Sequence, residues 1–127
     1  MSTQRIFTGQ WASGTDKITV NLPMIEFEED GCKIIYCPAL DVSGYGKNAE
    51  EANESFLITM GEFFLYGLHK KTLVEELQSM GWIIKHNNKK MQAPEMSKLL
   101  LENENFKRIF DNFDYQKFNK QVEIPVS

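Results

Sequence analysis

No apolar run in this sequence approaches the ~20 residues that a membrane-spanning helix needs, so a helical membrane protein is not expected. The opening stretch, MSTQRIFTGQWASG, lacks the continuous apolar core of a secretory signal, and cytoplasmic residence is the default expectation. Cysteine is scarce, with two residues, Cys32 and Cys37. If they share one strand, their odd separation puts them on opposite faces and roughly 17 Å apart. A disulfide needs Cα atoms within about 7 Å, so both are read as free thiols. Histidine is equally rare. Neither His69 nor His86 has a partner at metal-ligand spacing, and both read as surface residues. No nucleophile stands beside a recognisable base, so no catalytic residue, metal or cofactor is expected. Excess positive charge is missing too: 14 Lys and Arg stand against 18 Asp and Glu, a net charge of −4. A domain that grips phosphates by itself is usually basic, so direct nucleic-acid binding is disfavoured. An acidic chain suits a basic partner, although mild acidity also serves solubility alone.

What is present is ordinary globular composition in 127 residues, enough for one domain with a core of its own. The segment Ile25–Phe56 is the most informative. Asp30-Gly31 is a preferred pair for a type I′ hairpin, whose two central residues need positive φ. That turn sets Phe27 opposite Ile34, Ile25 opposite Tyr36 and Glu28 opposite Lys33. Apolar face, charge pair and turn chemistry then agree on one register. Upstream, Ile18–Leu22 alternates as a strand, and Pro23 either marks an edge strand or breaks it before Met24–Glu29. Downstream, Asp41–Tyr45 reads as a short third strand weakened by Gly44 and Gly46. Asn48 with Glu51 forms a capping box for a helix carrying Ala52, Phe56, Met60, Phe63 and Phe64 on one stripe, with Gly67 at its fraying end. A second capping box, Thr72 with Glu75, opens a short helix closed by Gly81. Trp82–Lys85 reads as a further strand of the sheet, and His86–Gln92 as a loop or hairpin-like excursion. Pro94 suits the first position of a helix with Met96, Leu99 and Leu100 on its apolar face. Asn105–Phe110 reads as another short helix, and Gln121–Val126 as a terminal strand.

The turn EEDG, the stretch YCPAL ending the second strand, and the helix opening Gly46-Lys47-Asn48-Ala49-Glu50-Glu51-Ala52 together resemble the HicB-like antitoxin domain. The resemblance covers about residues 23–82. It implies an α+β fold: an antiparallel, hairpin-based sheet of three to four strands with a long helix on one face, a degenerate form of the ribonuclease H architecture. The expected organisation is a single domain over 1–127, with the HicB-like core at 16–86 and a helical C-terminal extension at 87–127. The implied function is non-catalytic: an antitoxin-type protein that masks a small, basic, RNA-cleaving toxin of the HicA type. The alternative on the same scaffold is a solitary adaptor or structural interaction module. The helix-turn-helix or ribbon-helix-helix module of many such antitoxins has no counterpart in the C-terminal third.

Ribonuclease H ancestry also raises a nuclease reading through Glu26 and Asp41, but such sites need several carboxylates converging on metals about 4 Å apart. Within the acidic cluster Glu26, Glu28, Glu29 and Asp30, Glu26 and Glu28 read more simply as the solvated face of a hairpin, with Glu28 paired to Lys33. The run Lys85–Lys90 lacks the interleaved aromatics of a nucleic-acid surface and reads as a solvated loop. The aromatic series Phe106, Phe110, Phe113, Tyr115 and Phe118 reads as core. Trp11 reads as docking onto the body. Parity places Ile35 and Cys37 on the sheet face away from the main helix. With Asp41 and Tyr45 they form the candidate surface for a partner, a second subunit or the chain's own C-terminal third.

Overall fold

The computed structural model describes residues 16–85 and 90–126; Trp11 and His86 lie outside them. Four antiparallel strands form the main sheet in the order β3-β2-β1-β6. They are β1 (Asp16–Glu29), β2 (Cys32–Cys37), β3 (Val42–Gly46) and β6 (Tyr115–Val126). Between β3 and β6 come α1 (Ala49–Lys70), α2 (Leu73–Ser79), β4 (Ile83–Lys85), β5 (Lys90–Gln92), α3 (Met96–Glu102) and α4 (Glu104–Asn112). The class is α+β, with a helix layer on each side of the sheet.

The hairpin has the register that its sequence specifies. Ile25 faces Tyr36, Phe27 faces Ile34, and Glu28 faces Lys33. Asp30 and Gly31 take φ of 52° and 79°, the left-handed pair of a type I′ turn. Lys33 lies 3.4 Å from Glu26 and 3.8 Å from Glu28. A two-residue turn makes Glu29 and Cys32 a hydrogen-bonded pair, so odd residues of β1 turn their backbone groups toward β2 and even ones toward β6. Pro23 is therefore harmless. Its missing N–H would point to the β2 side, where pairing begins only at Ile25, and β1 runs unbroken along β6 from Asp16 to Phe27.

The two faces of the sheet are occupied in the reverse of the expected order. Directly opposed residues share a face, and Ile35 opposes Gly44. A Cβ on Gly44 would come within 2.1 Å of the Phe56 backbone nitrogen, and one on Gly46 within 2.7 Å of the Ala52 nitrogen. Helix α1 thus lies on the Ile35, Cys37, Gly44 and Gly46 face, with Ala52, Phe56, Met60 and Phe64 buried beneath it. The opposite face is covered by the C-terminal third: Phe106 packs on Tyr36 and Phe113 on Phe27, at ring-centroid distances of 6.5 and 5.0 Å. The physical reason is steric. Only the face with two glycines on the outer strand lets a helix backbone approach this closely.

Other elements depart from expectation in smaller ways. Asn48 Oδ1 accepts from the Glu51 N–H at 2.9 Å, but Glu51 Oε1 accepts from Lys47, one residue before the cap. Thr72 does not cap α2; its hydroxyl donates to Glu76 Oε2 at 2.9 Å instead. Helix α1 does not fray at Gly67. It continues to Lys70 and ends on Lys71 at φ 60°, with the Thr72 N–H donating to the Gly67 carbonyl at 2.8 Å. Gly67 is instead a contact point, since a Cβ there would stand 2.9 Å from Leu73 Cβ. Gly81 closes α2 as expected, at φ 101°. Pro94 stands before the α3 cap at Glu95, not inside the helix. Trp82–Lys85 does not join the main sheet. Ile83–Lys85 pairs with Lys90–Gln92 in a separate two-stranded ribbon, and the fourth place in the main sheet goes to β6, which starts six residues earlier than Gln121.

Candidate functional site

The loop from Pro38 to Asp41 joins β2 to β3 with Asp41 in the left-handed region at φ 55°, a conformation aspartate tolerates better than most residues. Cys37 O accepts from the N–H groups of Leu40 and Asp41 at 3.2 and 2.8 Å, which fixes the turn. Trp82 Nε1 donates to Ala39 O at 2.8 Å and pins the loop to the body. Across from it, Asn103 joins α3 to α4. Its Oδ1 accepts from the Phe106 N–H at 3.1 Å and caps α4. Its Nδ2 donates to Tyr36 Oη at 2.8 Å and toward Pro38 O at 3.4 Å. One amide therefore ties the C-terminal helices to both the sheet and the loop.

Tyr36 Oη donates in turn to Asp41 Oδ1 at 2.5 Å, and Asn105 Nδ2 donates to the same oxygen at 3.2 Å. Burial, then the hydrogen bond to Asp41 and its negative charge, push the Tyr36 phenol well above its usual range. It stays a donor at physiological pH and fixes the carboxylate it holds. No hydrogen bond among the described residues reaches Asp41 Oδ2.

This network forms one wall of an open cleft of about 360 Å³, lined by Pro38, Asp41, Ser79, Met80, Leu99, Glu102, Asn103, Glu104 and Asn105. Three of these side chains are carboxylates, two are amides, and none carries positive charge. The first turn of α4 favours the acidic groups near it through its dipole. The cleft can receive a cationic group, with Asp41 held rigidly and Glu102 and Glu104 supplying further carboxylate acceptors in its lining.

The four candidate residues separate. Asp41 lines the cleft. Tyr45 is 67 % exposed on the outer strand, where Ser55 Oγ accepts from its N–H at 3.2 Å. Ile35 and Cys37, at 3 % and 0 % exposure, lie under α1 and offer nothing to a partner; their place in the proposed surface is corrected. Burial pushes the Cys37 thiol up to about 12. Cys32 is also free. Glu26 and Asp41 are not brought together: Glu26 pairs with Lys33 on the α1 face, whereas Asp41 bonds to Tyr36, which belongs to the other. Among the described residues no group of three His, Cys, Asp or Glu side chains is placed to hold a metal. His69 sits in the last turn of α1 next to Lys70.

Sequence reading missed Asn103, Asn105, Glu102 and Glu104. The one available signal was Asn103, three residues before Phe106 at the start of an amphipathic stretch, which is the position of a cap. Nothing local tied it to Tyr36, 67 residues away. No described helix is long and apolar enough to cross a membrane. Comparison with protein-family models, with curated proteins and with solved structures finds no match.

Proposed function

We propose that this protein is a non-catalytic binding protein of the antitoxin type, which masks a small basic, RNA-cleaving partner of the HicA kind. The observation that carries the reading is the cleft between the β2–β3 loop and the α3–α4 junction. Asp41, Glu102 and Glu104 line it, and no Lys, Arg or His stands among its described lining residues. A concave acidic surface concentrates its field and selects a basic partner, and the overall charge of −4 acts in the same direction. Lysine and arginine side chains that a toxin uses on RNA phosphates are the groups that such a cleft engages. Occupying them blocks RNA by competition for the same charges. The mode of contact is loop and helix junction rather than an open sheet face, because both faces of the sheet carry helices. The EEDG, YCPAL and Gly46–Ala52 pattern supports the same family reading from the sequence side.

RNA cleavage by a purified HicA-type toxin, with this protein added at increasing ratio, tests the reading. Stoichiometric protection that weakens with salt is expected. Asp41→Asn with Glu104→Gln removes two charges while keeping hydrogen-bonding groups, and weakens protection about tenfold, in line with ~0.7 kcal/mol for each partly screened pair. Unimpeded cleavage with the wild-type protein, or equal protection by the double variant, would contradict the proposal.

A further inference from the structure

Strand β6 ends the main sheet, and among the described residues no strand pairs with its outer edge. The backbone groups on that edge follow from the register. Even residues of β6 oppose even residues of β1, and these exchange hydrogen bonds with each other. Odd residues, Tyr115, Lys117, Asn119, Gln121, Glu123 and Pro125, turn their backbone groups outward. The same alternation carried across the hairpin turns the Tyr45 N–H outward from β3, and Ser55 accepts it there. The other edge of the sheet is therefore partly closed by α1, and among the described residues it is the edge of β6 that stays open.

The edge is not uniformly accessible. Val122, Ile124 and Pro125 are buried, and Pro125 has no N–H to offer. From Gln116 to Asn119 every side chain is exposed, with Gln121 exposed beyond them. Phe118 stands in the middle of this stretch, 36 % exposed and apolar in an otherwise polar run.

We propose that this stretch is the interface of a homodimer, formed by antiparallel pairing of β6 with β6 of a second copy about a two-fold axis at Phe118. In that register Tyr115 opposes Gln121, Gln116 opposes Lys120, and Lys117 opposes Asn119. No like charges meet. Lys120 stands diagonal to the exposed Asp114 across the axis, twice by symmetry, within reach of a long side chain. The two Phe118 rings meet at a non-hydrogen-bonded position, where side chains approach most closely. Moving the axis to Lys117 or Lys120 sets two lysines against each other. The result is a continuous eight-stranded sheet with both α1 helices on one side. Such an isologous interface needs no second complementary patch.

Sedimentation of the full chain tests this. At ~100 µM the wild type should run at twice its 14.7 kDa mass. Lys117→Pro removes an outward N–H just as Pro125 does, leaves the bonds to β1 intact, and should weaken the dimer about tenfold or more. Phe118→Lys sets two cations on the axis and should give a monomer even if the proline variant fails to fold. In a Cys32→Ser background, Phe118→Cys should oxidise to a covalent dimer, since opposed Cα atoms at such a position lie ~4.5 Å apart. A wild-type monomer at this concentration, a Phe118→Lys variant that stays dimeric, or a Phe118→Cys dimer that does not cross-link would overturn the proposal.

Discussion

Gly44→Ala adds one methyl group and should be among the most damaging substitutions in the chain. Its Cβ would lie 2.1 Å from the Phe56 nitrogen, 2.5 Å from the Phe56 Cα and 2.7 Å from the Ala52 carbonyl oxygen. All three are backbone atoms of α1, so no side chain can rotate away. Restoring an ordinary contact of 3.4 Å requires the helix to lift by about 1.3 Å. That movement strips close contact from Phe56, Met60 and Phe64, which are 0–2 % exposed, and opens space between α1 and the sheet. Overpacking commonly costs 1–3 kcal/mol, and the backbone contacts place this site at about 3 kcal/mol or more. With about 3–5 °C per kcal/mol for a chain of this size, the melting temperature should fall by roughly 10 °C or more. Gly31→Ala is the control. Nothing lies within 4 Å of its Cβ, and only the left-handed backbone opposes it, at about 1–2 kcal/mol. Thermal and urea unfolding of the two variants distinguish the cases. A Gly44→Ala protein within ~2 °C of wild type, or one less affected than Gly31→Ala, would refute the placement of α1 over Gly44.

Ile35→Glu puts a carboxylate under α1 at a position 3 % exposed, and should unfold the domain at room temperature by circular dichroism; a soluble, folded variant would show that this face is open. Asn48→Ala removes the cap of α1 and should cost about 1 kcal/mol in urea unfolding, with an unchanged m-value. Folded Cys37 is protonated up to about pH 12, whereas its ordinary value is 9.0. The raised folded value means its contribution is fully present below pH 9 and lost as pH rises toward 12. Wild-type stability should therefore fall more steeply over that window than that of Cys37→Ala, and parallel pH profiles would contradict the burial of the thiol.

The hairpin was legible because three independent constraints, turn, charge and apolar face, agreed on a single register. The start of α1 was legible because a cap is a local interaction between Asn48 and Glu51. Which face α1 covers was not read correctly. Ile25, Phe27, Ile34 and Tyr36 looked like the helix-facing set because they are apolar, but in a sheet covered on both sides apolarity does not choose between layers. The deciding signal is Gly44 and Gly46, two residues apart on one face: the same pair that weakens β3 as a strand leaves room for a helix backbone. The cleft depends on contacts of the widest sequence separation, Asn103 with Tyr36 and Asn105 with Asp41, which no local pattern encodes. The length of β6 was hidden for a different reason. Its first half, Tyr115–Lys120, is polar on its exposed side chains apart from Phe118, and takes its strand form from pairing with β1.

Amide chemical shifts of the labelled protein, followed during titration with a basic HicA-type toxin, test the proposed function most directly. Perturbations should concentrate at Asp41 and Glu102–Asn105, diminish with added salt, and leave Ile35 and Cys37 unchanged apart from line broadening. Saturable binding whose perturbations avoid Asp41 and Glu102–Asn105, or no perturbation at all, would contradict the assignment of this cleft to a basic partner.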